Sequence, residues 1–171
     1  MYHIKYSKQE VAAAISRIAA ETKVSDNSVL LVVMNGGVWF SHQLMCKLQP
    51  VPSEVEYVKL SSYKGFNRGK ISQDYLPDTD FAGKDVIVVD DICDSGATLN
   101  MIDEWLKSLR PASVQFRTLI SRKGYQLNEG MDFKTGIEDD SQDFFAGCGM
   151  DGGINADMEF RYISAICVIE K

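Results

Sequence analysis

A chain of 171 residues is long enough for one domain with a complete hydrophobic core and too short for two domains of ordinary size. Its composition, 45% hydrophobic and 25% charged residues, is typical of globular proteins, and no apolar run approaches the ~18 residues that cross a membrane. The net charge of −6, from 24 acidic residues against 18 lysines and arginines, argues against nonspecific binding to nucleic acid or to a membrane surface.

The first half of the chain alternates helical and strand patterns. Residues 7–23 have the apolar spacing of an amphipathic helix, and Ser7 and Glu10 are placed to form a capping box. Residues 28–34 (SVLLVVM) are a short, almost wholly apolar run that is typical of a buried strand. The tripeptide NGG ends this strand, and residues 38–48 then predict a second helix.

The next elements follow the same rule. Residues 55–60 (VEYVKL) alternate like a strand with one covered face, and residues 61–81 are polar and show no clear periodicity. A stretch of that length without regular structure is usually functional or mobile. Residues 86–89 predict a second apolar strand. Residues 98–109 then predict a helix that ends before Pro111.

The last part of the chain predicts further strands. Residues 114–121 (VQFRTLIS) have a strand pattern, and short strands are also predicted at 144–146 and 163–169, after an acidic stretch at 138–143. We expect a single α/β domain with a parallel sheet flanked by helices. Its core would cover about residues 10–135, and a small hood would form from the N-terminal residues and about 136–171.

The cysteines and the N-terminal residues bear on the cellular compartment of the protein. Four scattered cysteines without a CxxC pair predict reduced, buried thiols rather than disulfides or a structural metal: Cys46, Cys93, Cys148 and Cys167. Residues 1–6 do not have the pattern of a signal peptide. The sequence therefore predicts a cytoplasmic protein.

Three carboxylates follow the second apolar strand in residues 86–98 (VIVVDDICDSGAT). Ligands of open parallel sheets bind where strands end and helices begin, so we expect Asp90, Asp91 and Asp94 to line such an edge. The turn that follows offers backbone amides, hydroxyls and a helix N-terminus, which together can hold a phosphate. Its residues are Ser95, Gly96, Ala97 and Thr98.

Acidic side chains beside an anion site need an explanation. A helix cap at Asp94 or Ser95 accounts for one acid, but not for three. A ligand with both hydroxyls and phosphates removes the conflict, because ribose hydroxyls can donate to Asp90 and Asp91 while a 5-phosphate occupies the turn. Mg²⁺ would bridge the remaining charges.

Residues 86–98 resemble the ribose-phosphate signature of type I phosphoribosyltransferases, which is an apolar strand, an acidic pair and D-[ST]-G-x-T. From about residue 28 onward the chain is most similar to the hypoxanthine-guanine branch of that family. VVMNGGVWF (32–40) resembles the diphosphate loop, with Asn35, Gly36 and Gly37 as diphosphate-binding residues and Asn35 standing where the family often has lysine. KLSSY (59–63) resembles the start of the flexible loop, with Ser62 and Tyr63 as the closing pair.

The resemblance also implies a base site. FFAGCGMD (144–151) is similar to the family's purine-binding stretch, in which Phe144 would stack on the base, Phe145 would present its backbone and Asp151 would help to hold Mg²⁺. Arg122 or Lys123 would donate to the purine 6-oxo group. Of the remaining matches, Arg161 would contact diphosphate, and Asp90, Asp91 and Asp151 would be the Mg²⁺ ligands, partly through water.

The implied reaction transfers the 5-phosphoribosyl group of 5-phosphoribosyl 1-diphosphate (PRPP) to hypoxanthine or guanine. The products are IMP or GMP and diphosphate, as in purine salvage, and Mg²⁺ is the cofactor. Asp94 is the expected general base or acid at purine N7. The resemblance also implies a homodimer or a homotetramer, with no nucleic-acid or membrane partner.

Alternatives remain open at this stage. A non-catalytic regulator with the same fold should present a basic face, which the net charge disfavours. A receiver-like signalling domain also binds Mg²⁺ at an acidic strand end, but it gives the DSGAT turn no role. Within the enzymes, a xanthine-preferring or pyrimidine-accepting transferase is the nearest alternative.

Overall fold

The computed structural model describes residues 2–62, 71–151 and 163–169. The described helices are α1 (Lys8–Glu21), α2 (Gly37–Met45) and α3 (Ala97–Ser108). The described strands are β1 (Tyr2–Tyr6), β2 (Ser28–Val33), β3 (Glu54–Ser62), β4 (Ile71–Tyr75), β5 (Asp85–Cys93), β6 (Ser113–Arg122), β7 (Asp132–Asp139), β8 (Phe145–Gly147), β9 (Met150–Asp151) and β10 (Ile166–Ile169).

Two sheets organise the described residues. The larger has the order β4-β3-β2-β5-β6-β7, in which β3, β2, β5, β6 and β7 run parallel and β4 is antiparallel at the edge. The smaller has the order β1-β10-β8-β9 and is antiparallel. The predicted α/β fold with a flanked parallel sheet is therefore confirmed, and the chain ends contribute β1 and β10 to the small sheet.

Apolar side chains cover both faces of the large sheet. On one face α1, α2 and the small sheet pack on a cluster that includes Leu30, Ile87 and Leu119. On the other face α3 packs on Leu31 and Val88. This two-sided burial explains why the central strands are almost wholly apolar. It also makes them a rigid base for residues at their carboxyl ends.

Local signals explain how the elements begin. Ser7 and Glu10 form the predicted capping box, since the Ser7 hydroxyl accepts from the Glu10 amide at 3.3 Å and the Glu10 carboxylate accepts from the Ser7 amide at 2.8 Å. The helix predicted over 98–109 is α3, within one residue at each end. The other predicted helices and strands are present with small shifts of their bounds.

Two sequence predictions are corrected, and some strands were not predicted. Residues 61–81 are not without regular structure, because β3 extends to Ser62, β4 follows, and Phe81 is buried against Trp105. Asp90 and Asp91 lie within β5, which pairs with β6 as far as Cys93, rather than after the strand. The strands β1, β4, β7 and β9 were not predicted.

The four cysteines are free. Cys93, Cys148 and Cys167 are buried, as expected, whereas Cys46 is exposed. Burial raises the pKa of Cys93 and of Cys148 to about 12, so both thiols stay protonated at neutral pH. Among the described residues, no helix combines the length and the apolar character needed to cross a bilayer.

Candidate active site

A cavity of about 520 Å³ opens at the carboxyl edge of the parallel strands. It brings together the acidic end of β5, the start of α3, the β2–α2 turn and the beginning of β8. The lining residues are Val33, Met34, Asn35, Gly36, Leu60, Asp90, Asp91, Ile92, Asp94, Thr98, Arg122, Phe144, Phe145, Gly149 and Met150. Most predicted site residues in the described part of the chain therefore share one cavity, as the topology of an open parallel sheet requires.

The acidic pair is held by the sheet itself. Strand β2 pairs with β5 only as far as Val32 and Val89, so Asp90 and Asp91 extend past β2 while β6 still supports β5. Both residues are buried, and the Asp91 amide donates to the Asp90 carboxylate at 2.9 Å. Burial, together with the nearby Asp91 charge, raises the pKa of Asp90 well above its usual range.

The turn after β5 has the backbone that a phosphate site needs. Gly96 has a φ of 91°, in the left-handed region that favours glycine, and a Cβ there would lie 2.2 Å from the Gln126 carbonyl oxygen. Helix α3 begins at the next residue, Ala97, and its amide donates to the Ser95 hydroxyl at 3.3 Å. The turn thus presents amides and a helix N-terminus beside Thr98, which lines the cavity.

The β2–α2 turn lies directly against the acidic pair. The peptide bond between Met34 and Asn35 is cis, and Asn35 and Gly36 line the cavity. A Cβ on Gly36 would lie 2.0 Å from Asp91 Oδ2, and a Cβ on Gly37 would lie 2.8 Å from the Val89 carbonyl oxygen. Both positions therefore require glycine, because neighbouring atoms lie too close for a Cβ. Only at Gly36 is the neighbouring atom part of a side chain of the site.

We predict that Gly36→Ala and Gly37→Ala separate ligand binding from stability. Alanine at 36 should displace the Asp91 carboxylate and weaken binding of a phosphorylated sugar by about tenfold, with a small change in Tm. Alanine at 37 clashes with backbone and should lower Tm by several degrees. Calorimetric titration and thermal unfolding of both variants test this contrast, and a Gly36→Ala protein with unchanged affinity would contradict it.

Arg122 connects Asp94, in the turn after β5, to the segment before β8. Its Nε lies 2.5 Å from Asp94 Oδ1, while Nη1 and Nη2 donate to the carbonyl oxygens of Ser141 and Asp143 at 2.6 and 2.5 Å. The guanidinium carbon lies 4.8 Å from the centroid of the Phe145 ring, at cation–π distance. Arg122 is therefore fixed in orientation, and it retains N–H groups that none of these contacts uses.

The two phenylalanines have different environments. Phe144 is 57% exposed, so its ring is accessible to a flat ligand, whereas Phe145 is 5% exposed and supports Arg122. Lys123 does not line the cavity, and its backbone amide donates to the Asp139 carbonyl oxygen at 2.8 Å. The cavity thus joins an exposed aromatic ring and a cation to the acidic turn.

The family model described as "Phosphoribosyl transferase domain" matches residues 1–152. The chain belongs to the phosphoribosyltransferase family. It is therefore a pentosyltransferase enzyme, as the sequence resemblance predicted.

Curated relatives agree with this assignment. A hypoxanthine-guanine phosphoribosyltransferase from Mycobacterium bovis is 31% identical over 146 residues, covering 83% of this chain and 68% of the relative. A hypoxanthine phosphoribosyltransferase from Salmonella typhimurium is 34% identical over 119 residues, covering 67% of this chain and 66% of the relative. A hypoxanthine-guanine-xanthine phosphoribosyltransferase from Tritrichomonas foetus is 30% identical over 132 residues, covering 72% of each chain.

Solved structures show the same fold. A hypoxanthine-guanine phosphoribosyltransferase from Bacillus anthracis superposes with a TM-score of 0.82 at 21% identity and covers 98% of both chains. A Trypanosoma cruzi hypoxanthine phosphoribosyltransferase complexed with IMP superposes with a TM-score of 0.81 at 23% identity, covering 98% of this chain and 90% of the other.

Some residues predicted for this phosphoribosyltransferase cannot be placed in the cavity. Tyr63 and Arg161 lie outside the described residues, and for Ser62 and Asp151 only the backbone is described, in β3 and β9. Their assigned roles stay predictions. Conversely, sequence analysis missed six lining residues, because apolar residues and glycine carry no chemical signal of their own: Val33, Met34, Leu60, Ile92, Gly149 and Met150.

The acidic pair of the phosphoribosyltransferase fits a hard cation. No group of three or more histidine, cysteine or acidic side chains that could hold a metal ion occurs among the residues described. Two adjacent buried carboxylates nevertheless match the usual protein contribution to Mg²⁺, which takes one or two carboxylates and completes its shell with waters and phosphate oxygens. A cation at Asp90 and Asp91 would also offset the repulsion that raises the pKa of Asp90.

Proposed function

We propose that this phosphoribosyltransferase transfers the 5-phosphoribosyl group from PRPP to a 6-oxopurine, hypoxanthine or guanine, and releases diphosphate. The products are IMP or GMP, and the role is purine salvage. The observation that carries the proposal is the single cavity that joins the acidic turn of β5 to an exposed Phe144 ring and to Arg122. The names of the curated relatives support a purine as the acceptor.

The acidic end of β5 is assigned to the sugar. Asp90 and Asp91 would accept from the 2′ and 3′ hydroxyls of ribose, since carboxyl oxygens are hydrogen-bond acceptors and ribose hydroxyls can donate to them. The 5-phosphate would occupy the amides of residues 95–98 at the start of α3. Asp90 and Asp91, with Asp151, would hold Mg²⁺, which neutralises the leaving diphosphate when bound.

The departing diphosphate is assigned to the β2–α2 turn. Backbone amides at Gly36 and Gly37 would donate to its oxygens, with the Asn35 side chain beside them and Arg161 as the added cation. Asn35 contributes no charge where the family often has lysine, so binding here depends more on amides and metal. Closure by Ser62 and Tyr63 would exclude water, which competes with the base as nucleophile.

The base is assigned to the side of the cavity that Phe144, Phe145 and Arg122 line. The Phe144 ring would stack on the purine, and the backbone of Phe145 would contact its edge. Arg122 is preferred to Lys123 as the donor to the 6-oxo group, because Arg122 lines the cavity and has N–H groups left over from its other contacts. Asp94 lies between sugar and base, where it would hold or release the N7 proton.

Rates with five bases test the proposed function. Hypoxanthine and guanine should be used with PRPP and Mg²⁺, and adenine should be poor, because a buried donor facing an amino group is left unpaired. A preference for xanthine or for uracil would replace the proposed substrate class. No turnover with any base, together with retained nucleotide binding, would favour a non-catalytic regulator.

We further predict that Asp90→Ala and Asp91→Ala weaken binding of PRPP more than binding of the base. Loss of charge-assisted hydrogen bonds to the sugar should lower PRPP affinity by about ten- to hundredfold. Asp85→Ala is the matched control, since Asp85 begins the same strand at its opposite end and its carboxylate accepts from the Ser25 and Ser113 hydroxyls. Calorimetry with each ligand checks the assignment, which unchanged PRPP affinity in both variants would overturn.

A further inference from the structure

Lys5 lies on β1, in a part of the chain that carries no site motif, yet its ammonium group contacts the segment that leads into the base side of the cavity. Its Nζ lies 2.6 Å from Ser141 Oγ, 2.8 Å from Asp143 Oδ2 and 2.9 Å from Asp139 Oδ2. An ammonium has three N–H donors, and these acceptors account for all of them. We call these four residues, Lys5, Asp139, Ser141 and Asp143, the Lys5 clamp.

The clamp is anchored in the large sheet. Asp139 is the last residue of β7, and its side chain is only 3% exposed. It also accepts from the Tyr6 hydroxyl at 2.6 Å and from the Ser141 amide at 2.8 Å. Burial raises the pKa of Asp139, but hydrogen bonds from Ser141, Tyr6 and Lys5 outweigh burial and hold the pKa below its usual range.

The clamp continues to the acidic turn through Arg122. The carbonyl oxygens of Ser141 and Asp143 accept from the two terminal nitrogens of Arg122, whose Nε contacts Asp94. Phe144 follows Asp143 directly and lines the cavity. One short segment therefore carries the Lys5 contacts on its side chains, the Arg122 contacts on its carbonyls, and the exposed aromatic ring at its end.

We propose that Lys5 is a positioning residue for the base, which acts by fixing residues 141–144 and, through them, the orientation of Arg122 and Phe144. This inference rests on the proposed function of the cavity in binding a purine. Among the described contacts, Lys5 touches neither Asp90 nor the turn at residues 95–98. Its loss should therefore weaken binding of the base and leave binding of PRPP unchanged. A misplacement of about 1 Å, caused by a change remote from the reacting atoms, can cost on the order of 10²-fold in rate.

Without the ammonium, Asp139 and Asp143 lose their shared counter-charge. The two carboxylates then repel each other, and the Ser141 hydroxyl loses one of its partners. We expect the segment to shift away from β1 and to take the Arg122 carbonyl acceptors with it. The backbone amides of Ser141 and Asp143, which donate to Asp139 and to the Ser141 hydroxyl, report such a shift directly.

The test compares Lys5→Met with Lys84→Met. Lys84 is the matched control, because its side chain is 21% exposed against 23% for Lys5, and its partner Glu54 is 45% exposed against 43% for Asp143. Lys84 precedes β5 at the end of the sheet away from the cavity. Lys5→Met should raise KM for hypoxanthine by about tenfold with KM for PRPP nearly unchanged, Lys5→Arg should restore most of the loss, and Lys84→Met should change neither constant.

Amide hydrogen exchange supplies a readout that does not depend on activity. Exchange at Ser141 and Asp143 should accelerate in Lys5→Met and stay as in the parent protein in Lys84→Met. Faster exchange without any change in KM for the base would overturn the positioning role, as would equal rises in both Michaelis constants. An inactive parent protein that nevertheless shows the exchange difference would refute the proposed function while leaving the Lys5 clamp intact as a structural contact.

Discussion

Replacing Asp94 by asparagine is expected to lower kcat by about 10²–10⁴-fold, because an amide cannot accept or deliver the N7 proton. Asparagine keeps an oxygen that can accept from Arg122 Nε, which lies 2.5 Å from Asp94 Oδ1. The substitution therefore removes the proton-transfer group while preserving the contact that orients it. Affinity for PRPP with Mg²⁺ should change little, since Asp90 and Asp91 are the residues proposed to bind the sugar.

Asp132→Asn is the control for the Asp94 variant. Asp132 is also a partly exposed carboxylate paired with an arginine, with Arg117 Nη1 3.0 Å from its Oδ1, but it begins β7 and does not line the cavity. Single-turnover rates and calorimetry on both variants separate chemistry from binding. Parent-like turnover in Asp94→Asn would remove Asp94 from the mechanism.

Arg122→Ala is expected to lower kcat/KM for hypoxanthine by roughly a hundredfold. The substitution removes the proposed donor to the 6-oxo group, which is worth on the order of 10–100-fold in selectivity. It also removes the partner of Asp94 and two hydrogen bonds to the carbonyls of Ser141 and Asp143. Because several contacts are lost together, both KM and kcat should change.

Lys123→Ala is the control at the adjacent position, and it should retain most activity because Lys123 does not line the cavity. Arg122→Lys keeps the charge but not the three separate directions of donation, so it should recover only part of the loss. If Lys123→Ala is the variant that loses activity, the base donor is Lys123. If neither alanine variant is impaired, the base site is assigned to the wrong side of the cavity.

The sequence predicted the elements whose pattern is local. Wholly apolar runs identify β2 and β5, and helical spacing with a capping box identifies α1. Strand β7 was missed because its sequence, DFKTGIED, is polar and contains Gly136. A Cβ on Gly136 would lie 2.8 Å from the Leu119 carbonyl oxygen and 3.0 Å from Ala14 Cβ, so tertiary packing requires the residue that weakens the strand signal.

In the candidate site, too, the sequence predicted the features with a local pattern and missed those that depend on tertiary contacts. The acidic pair and the turn at residues 95–98 are close together in the chain, so their residue types alone predict a ligand-binding edge. The contacts of Arg122 with Asp94, Ser141 and Asp143 span up to 28 residues, and those of Lys5 reach across the whole domain with a separation of 138 residues from Asp143. Such contacts depend on the sheet order β5-β6-β7 and on the pairing of β1 with β10, which no single segment encodes.

The pairing of β3 with β4 has a consequence for engineering. Ser62 and Ile71 are cross-strand partners, so the sheet holds these two attachment points about 5 Å apart whatever length of chain joins them. Closing a chain between fixed, adjacent ends costs only about 0.6 kcal/mol for each doubling of its length. This part of the chain can therefore be shortened, extended or exchanged for that of a relative while the β3–β4 pair and the four strands beside it keep their register.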